Sequence, residues 1–369
     1  MFIHAIGRQG LRSAACALLL TAAAALCLWR PQALATGVNR GLSICSGVII
    51  PTLYPFMILA GFLTETPLCR RPGRLCAALT RRLFGLPGCC GPAILISLVG
   101  GYPAGALAIG QLWRQGQIDR QQAQRMTRFC VNAGPGFIIS TVGSGLLGST
   151  RAGLLLFAAH ITVSVGFGIG LGRGQRRTEA DTPAALPPPR PVAQIVADAC
   201  RSLLTMCGFV VLAAALLSLL ETAALPLRLQ QLTGLPAARF SAAAAGLLEV
   251  SCGCIALAGC GDAAPFWLCL CMGWGGLSVQ GQLSAALGDG RLLDGSFYLY
   301  RVLHGVASGL LALLLFRLIP AGLPTAVGTL GGGVAALPYP VTAAASGMLL
   351  VLSFLAMVCF SPKSTGKTE

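Results

Sequence analysis

Charge is scarce in this chain. Of 369 residues only 10% are Asp, Glu, Lys or Arg, the acidic ones number 11, and there are 3 histidines. A soluble domain of that length needs far more solvated surface, so an ordinary soluble fold is excluded. No C-x-x-C pair occurs among the 16 cysteines, which removes zinc ribbons and thioredoxin-type motifs. Cys252, Cys254, Cys269 and Cys271 come nearest to a ligand set, but residues two apart on a helix point to different faces. The cysteines read as small apolar residues and no metal is assigned. Nor can a Ser-His-Asp set, a P-loop or paired catalytic carboxylates be assembled, so the chain is not read as an enzyme or an ATPase. Basic residues are not interleaved with aromatics in a stripe, which argues against a nucleic-acid partner.

What is present is apolar. Hydrophobic residues make up 55% of the chain and the mean hydropathy is +0.77, the composition of an all-α polytopic membrane protein. The net charge of +15 comes almost entirely from arginines clustered between apolar runs, as expected of cytoplasmic loops. Periodicity and charge together predict about eight transmembrane helices with re-entrant hairpins. The divisions expected are an N-terminal transmembrane helix or signal anchor over 1–40, a first repeat over 41–172, a cytoplasmic Pro-rich linker over 173–199, a second repeat over 200–318, and a C-terminal transmembrane helix with a polar tail over 319–369.

The organising stretch is Gly100-Gly101-Tyr102-Pro103-Ala104-Gly105, inside an apolar run. Breakers in hydrocarbon are tolerable only where protein buries them or a polar cavity accepts them. Arginines at 70–82 and at 114–128 make both flanks of residues 89–112 basic, so this run enters and returns as a hairpin. The alternative is one kinked span with an ordinary basic loop outside. A second breaker stretch, Gly275-Gly276-Leu277-Ser278-Val279-Gln280-Gly281-Gln282, lies 175 residues on, and Asp119 and Asp294 share that offset. This predicts two inverted repeats meeting near the midplane, as in many secondary transporters. Between them, the run Phe240 to Gly259 reads as a plain span. Pro51 and Pro55 predict a kinked or broken helix, and Leu75 to Leu86 a basic amphipathic helix on the membrane surface.

Glu249 is the most informative residue, because a carboxylate inside an apolar run costs on the order of 2 to 3 kcal/mol. It reads as a proton or sodium site, a substrate contact, or a structural hydrogen-bonding group. The substrate-binding set expected is Gly101, Tyr102, Pro103, Gly105, Asn132, Gly134, Pro135, Glu249, Gly275, Gly276, Ser278, Gln280, Gln282 and Arg301. Its amides and hydroxyls donate and accept, and its breakers bring backbone close to a ligand. Arg301 with His304 and Ser308 on one helix face could receive an anion, or Arg301 could snorkel to the interface. His160 reads as a helix–helix contact.

Pro51-Thr52-Leu53-Tyr54-Pro55-Phe56, Gly101-Tyr102-Pro103-Ala104-Gly105-Ala106, Asn132-x-Gly134-Pro135, Leu248-Glu249 and Gly275-Gly276-Leu277-Ser278-Val279-Gln280 resemble, in the same order, the YlbJ type of sporulation integral membrane protein. That type belongs to the nucleoside-recognition, or Gate, domain group. The resemblance covers roughly Gly41 to Leu318 and implies two Gate-like repeats. It also implies a location in the outer forespore membrane and transport of dipicolinic acid into the forespore. Leu107 stands where the family's loop tends to carry lysine, and Asn132 where it often has paired asparagines. The function expected is therefore secondary transport of a small polar, anionic solute. The alternatives are a nucleoside or other small-solute permease, or a non-transporting scaffold of an envelope complex. No cofactor is expected beyond a coupling H+ or Na+; the partners are the solute, the lipid bilayer and, left open, a second copy of the chain.

Overall fold

The computed structural model describes residues 28–65, 74–174 and 190–319, with positions 17, 18, 21 and 25. The expected N-terminal span up to residue 27 apart from those positions, the linker at 175–189 and the final span at 341–360 lie outside the described residues. All regular elements among the described residues are helical, which in a bilayer lets each segment satisfy its own backbone.

A long rod opens the fold: α1 (Pro31–Ile44), a wide π turn (Cys45–Ile49) and α2 (Ile50–Thr64). Pro51 and Pro55 each remove a backbone donor. The rod adjusts by widening the turn before them rather than by breaking. It lies antiparallel to α7 (Val192–Thr222), with Gly37 against Ala214 and Ala215, Gly41 against Val211, and Gly61 against Ile195. At one end Arg190 bonds Glu65 at 2.6 Å and Asp198 at 3.2 Å.

After the rod comes a basic amphipathic helix, α3 (Arg74–Phe84), and then α4 (Cys90–Arg114), interrupted at Gly101. A Cβ on Gly105 would lie 2.8 Å from that of Ser97, although eight residues of straight helix would separate them by about 12 Å. Helix α4 is thus a hairpin with Gly101 at its tip, as the basic flanks predict. Its two ends sit together: Gly91 backs onto Cys76 and Thr80 of α3, and Arg125 of α5 (Arg120–Phe129) bonds the carbonyls of Phe84 and Gly85. Asp119 caps α5 through a reciprocal bond pair with Gln122, which fixes the turn out of the hairpin. The chain then runs extended through 131–134, resumes as a wide helix, Gly136–Leu146, and returns through α6 (Thr150–Gly172).

The second unit repeats this order. A short α8 (Leu225–Thr233) follows α7, then α9 (Ala237–Leu248) and α10 (Val250–Leu257). A Cβ on Gly253 would lie 2.5 Å from the Cα of Gly246, so α9 and α10 also form a hairpin, with Glu249 at the tip. An interrupted pair, α11 (Ala264–Trp274) and α12 (Gly276–Leu287), and a long α13 (Gly295–Leu318) complete it. Helix α11 runs antiparallel to α13, Gly309 meeting Phe266 and Gly273 meeting Gly305. Helix α12 ends where Arg114 bonds the carbonyl of Leu287, beside the open end of the first hairpin.

These contacts make the units inverted. The first hairpin opens on the side of α3, Arg114 and Asp119; the second opens on the opposite side, and their tips meet inside. Two expectations are corrected here. Residues 240–259 do not cross but fold back. The offset of 175 is a coincidence: it pairs the tip of the first hairpin with the break of α11–α12, whereas the element order pairs Gly101 with Glu249 and the 131–134 break with Gly275. Among the described residues five helical stretches are long and apolar enough to cross a membrane, one of them the folded-back α4. Outer faces of α6, α7 and α13 leave Leu154, Leu212, Leu310 and Leu314 exposed, as lipid-facing surfaces do.

Candidate functional site

Four chain breaks converge where the two units meet. Gly101, at φ 78°, crosses the extended segment so closely that a Cβ would sit 3.1 Å from the nitrogen of Gly134. Gly276, at φ 79°, crosses the second hairpin, and a Cβ there would sit 2.9 Å from the backbone nitrogen of Glu249. Both positions need glycine for conformation and for space.

Between these crossings and the rod lies a narrow, mostly apolar recess. Gly101, Tyr102, Pro103, Gly134, Glu249 and Gln282 of the expected set line it. The other expected residues stand behind it. Gly105 packs on Ser97 and the carbonyl of Cys130, Pro135 starts the Gly136–Leu146 helix, and Gly275 and Gly276 form the break itself. Asn132 turns away, donating to Phe129 O at 2.7 Å and to Ser164 Oγ at 2.8 Å. Ser278 and Gln280 are buried in α12 outside the lining.

Arg301 neither faces the recess nor snorkels. At 1% exposure it donates to Val131 O and, at 3.5 Å, to Met272 O. Those carbonyls belong to the chain just past α5 and to the last turn of α11, places where a cation is favoured. Tyr102 also donates to Met272 O, and the guanidinium lies 5.9 Å from the centre of its ring. Arg301 therefore ties the two units together at their exposed carbonyls. One turn further, His304 stacks edge-on against His160 at 4.2 Å and meets its carbonyl at 3.0 Å, the helix contact expected of His160.

Glu249 is 2% exposed and caps α10, its Oε2 accepting from Cys252 N at 2.9 Å. Among the described residues no Arg, Lys or His forms an ion pair with it. Beside it Ser251, 3% exposed, has no hydrogen-bond partner for its Oγ other than this carboxylate. Lining residues absent from the expected set include Ser251, Phe56, Met57, Phe137 and Met206. Phe56 ends the Pro51–Phe56 motif and Ser251 lies two residues from Glu249, so both had a signal; Met206 had none.

Two inverted units, each a span, a surface helix, a hairpin, an interrupted segment and a further span, define an integral membrane protein with a recess where the units meet. Over 320 residues, 78% of this chain and 78% of the relative, it is 27% identical to the sporulation integral membrane protein YlbJ of Bacillus subtilis (strain 168). That similarity covers most of both chains, so the chain is similar to a YlbJ-type integral membrane protein. No family profile matches it, and no solved structure does.

Proposed function

We propose that the protein is a secondary transporter of a small, polar, anionic solute and that it acts in spore formation. The observation that carries the transport reading is the convergence of four chain breaks, two from each inverted unit, on one recess holding a buried carboxylate that has no cationic partner among the described residues. Backbone interrupted at membrane depth is costly unless it serves a site, and a scaffold would have no use for it. The sporulation role rests on the similarity to the Bacillus subtilis protein. Dipicolinic acid, a small rigid dicarboxylate, is the solute that fits both the family resemblance and the anionic preference. No covalent chemistry is assigned to the site.

The recess offers about 50 Å³, a third of the roughly 150 Å³ cavity that accepts benzene. An aromatic solute therefore requires the hairpin tips to part, and transport on this reading is a cycle of opening to either side. Purified protein in liposomes tests it. Saturable uptake of labelled dipicolinate is expected, lost in Gly276→Leu. Uptake of nucleosides alone would favour the permease alternative, and inserted, folded protein that moves neither solute would favour a scaffold.

A further inference from the structure

The recess is lined by the first turns of half-helices: Tyr102 and Pro103 after the tip of α4, Gly136 and Phe137 of the Gly136–Leu146 helix, and Val250 and Ser251 of α10. Val279 of α12 joins them. Each helix N-terminus carries roughly half a positive charge on its free N–H groups. Of the opposite, negative ends, only that of the first arm of α4, at Val99 and Gly100, reaches the recess; Arg301 takes the carbonyls of Val131 and Met272, and the indole of Trp274 takes that of Leu247 at 3.3 Å, so three N-termini face one C-terminal end. The field left at the recess is positive, which suits an anion.

One carboxylate already sits there. Glu249 Oε2 holds the Cys252 N–H, while Gly253 N donates to the carbonyl of Glu249, so the N–H groups of 250–252 lie outside the helical ladder. Ser251 Oγ, buried beside the Glu249 carboxylate and with no other partner, lies in the same first turn and lines the same recess. The titratable groups around Glu249 are Tyr102 of α4, Cys252 and Cys254 of α10, Cys271 of α11, Cys45 of the rod and Cys207 of α7. None is a cation. Arg40, whose charge is felt at Cys252, lies 3.8 Å from Glu221.

We propose that Glu249 holds the seat of the solute's carboxylate at the N-terminus of α10. Ionised Glu249 and a bound carboxylate exclude each other, so the solute binds together with one proton, which Glu249 takes up as it releases Cys252 N. Ser251 Oγ donates to the incoming carboxylate. No covalent bond changes; one proton and one anion are taken up together and released together. This inference rests on the transport reading but is narrower, because an anion transporter that binds its solute without a proton defeats it while that reading stands.

The test uses the full-length protein in nanodiscs and dipicolinate and benzoate as probes. Calorimetry on the wild type, in buffers of different ionisation enthalpy, is expected to count one proton taken up per carboxylate bound, with affinity falling about tenfold per pH unit above neutrality. In Glu249→Gln the proton count is expected to fall to zero and the affinity to become independent of pH; in Ser251→Ala the affinity falls several-fold with the proton count unchanged. Proton uptake that persists in Glu249→Gln overturns the proposal, as does wild-type binding without proton uptake. Absence of carboxylate binding by folded wild type overturns it too, and with it the anionic-solute reading, whereas saturable dipicolinate uptake with binding that takes up no proton overturns the proposal alone.

Discussion

The two hairpins reach the centre from opposite sides and turn by different means. The first turns on Gly101 at φ 78°, ψ −169°, a conformation that a side chain resists. The second turns on Glu249 at φ −151°, ψ 133°, extended backbone that any residue adopts. Nothing in the turn itself requires glutamate, and a shorter Ser, Thr or Asp would serve the same capping position. The carboxylate is therefore best explained by what the site does, whereas Gly101 is explained by geometry. Matched architecture with unmatched tips assigns shape to one hairpin and chemistry to the other.

The sharpest way to break that contrast is at the glycines. Gly276→Leu forces a positive φ, at about 1–2 kcal/mol, and drives a side chain into the backbone of the second hairpin, at about 1–3 kcal/mol more. Uptake at matched abundance is expected to fall about a hundredfold or further. Gly101→Ala carries the same φ penalty but meets Gly134 at 3.1 Å instead of 2.9 Å, so its loss is expected to be nearer tenfold.

Next comes the tie between the units. Arg301→Gln leaves the buried carbonyl of Val131 short of a donor, while Met272 keeps that of Tyr102, costing about 1–3 kcal/mol at the usual penalty for one such group. This is read as a lower melting temperature in detergent. Arg301→Lys is expected to recover only part, since one ammonium replaces a planar fork that spans both acceptors. Full recovery would mean that charge alone, not the two-carbonyl geometry, holds the units together.

A smaller effect separates capping from pairing at Asp294, whose Oδ1 caps α13 and whose Oδ2 meets Arg128 at 2.9 Å. Asp294→Asn keeps the cap and weakens the pair, an expected loss of at most about 1 kcal/mol. Asp294→Ala removes both and is expected to cost about 1–2 kcal/mol, mostly from the cap. Equal melting shifts for the two variants would contradict that division.

Much of this plan is legible in the sequence where the physics leaves a mark. Breakers flanked by arginines on both sides announce the first hairpin, and Gly275-Gly276 announces a break in its segment, whereas the break at 131–134 goes unread inside an apparent crossing. The second hairpin leaves no such mark. Leu248-Glu249-Val250 contains neither Gly nor Pro because its turn uses extended backbone, so 240–259 reads as a span and the glycines at Gly101 and Gly276 are paired wrongly. Arg301 is opaque for a related reason: its partners are carbonyls freed by the breaks, and a carbonyl has no residue type. Of the site itself, Glu249 stands out by cost and Ser251 lies two residues from it, while Met206 becomes visible only once the chain is folded.

The central claim is that the two hairpins enter from opposite faces of the membrane. Single cysteines in a background with the native ones replaced by serine, labelled with a membrane-impermeant maleimide in intact cells and in inverted vesicles, test it directly. Arg82→Cys and Gln117→Cys flank the first hairpin and are expected to react from the cytoplasmic face only. Gln231→Cys and a restored Cys260 flank the second and are expected to react from the other face only. Labelling of Arg82→Cys and Gln117→Cys from different faces, or of Gln231→Cys and Cys260 from different faces, would turn a hairpin into a crossing and contradict the account.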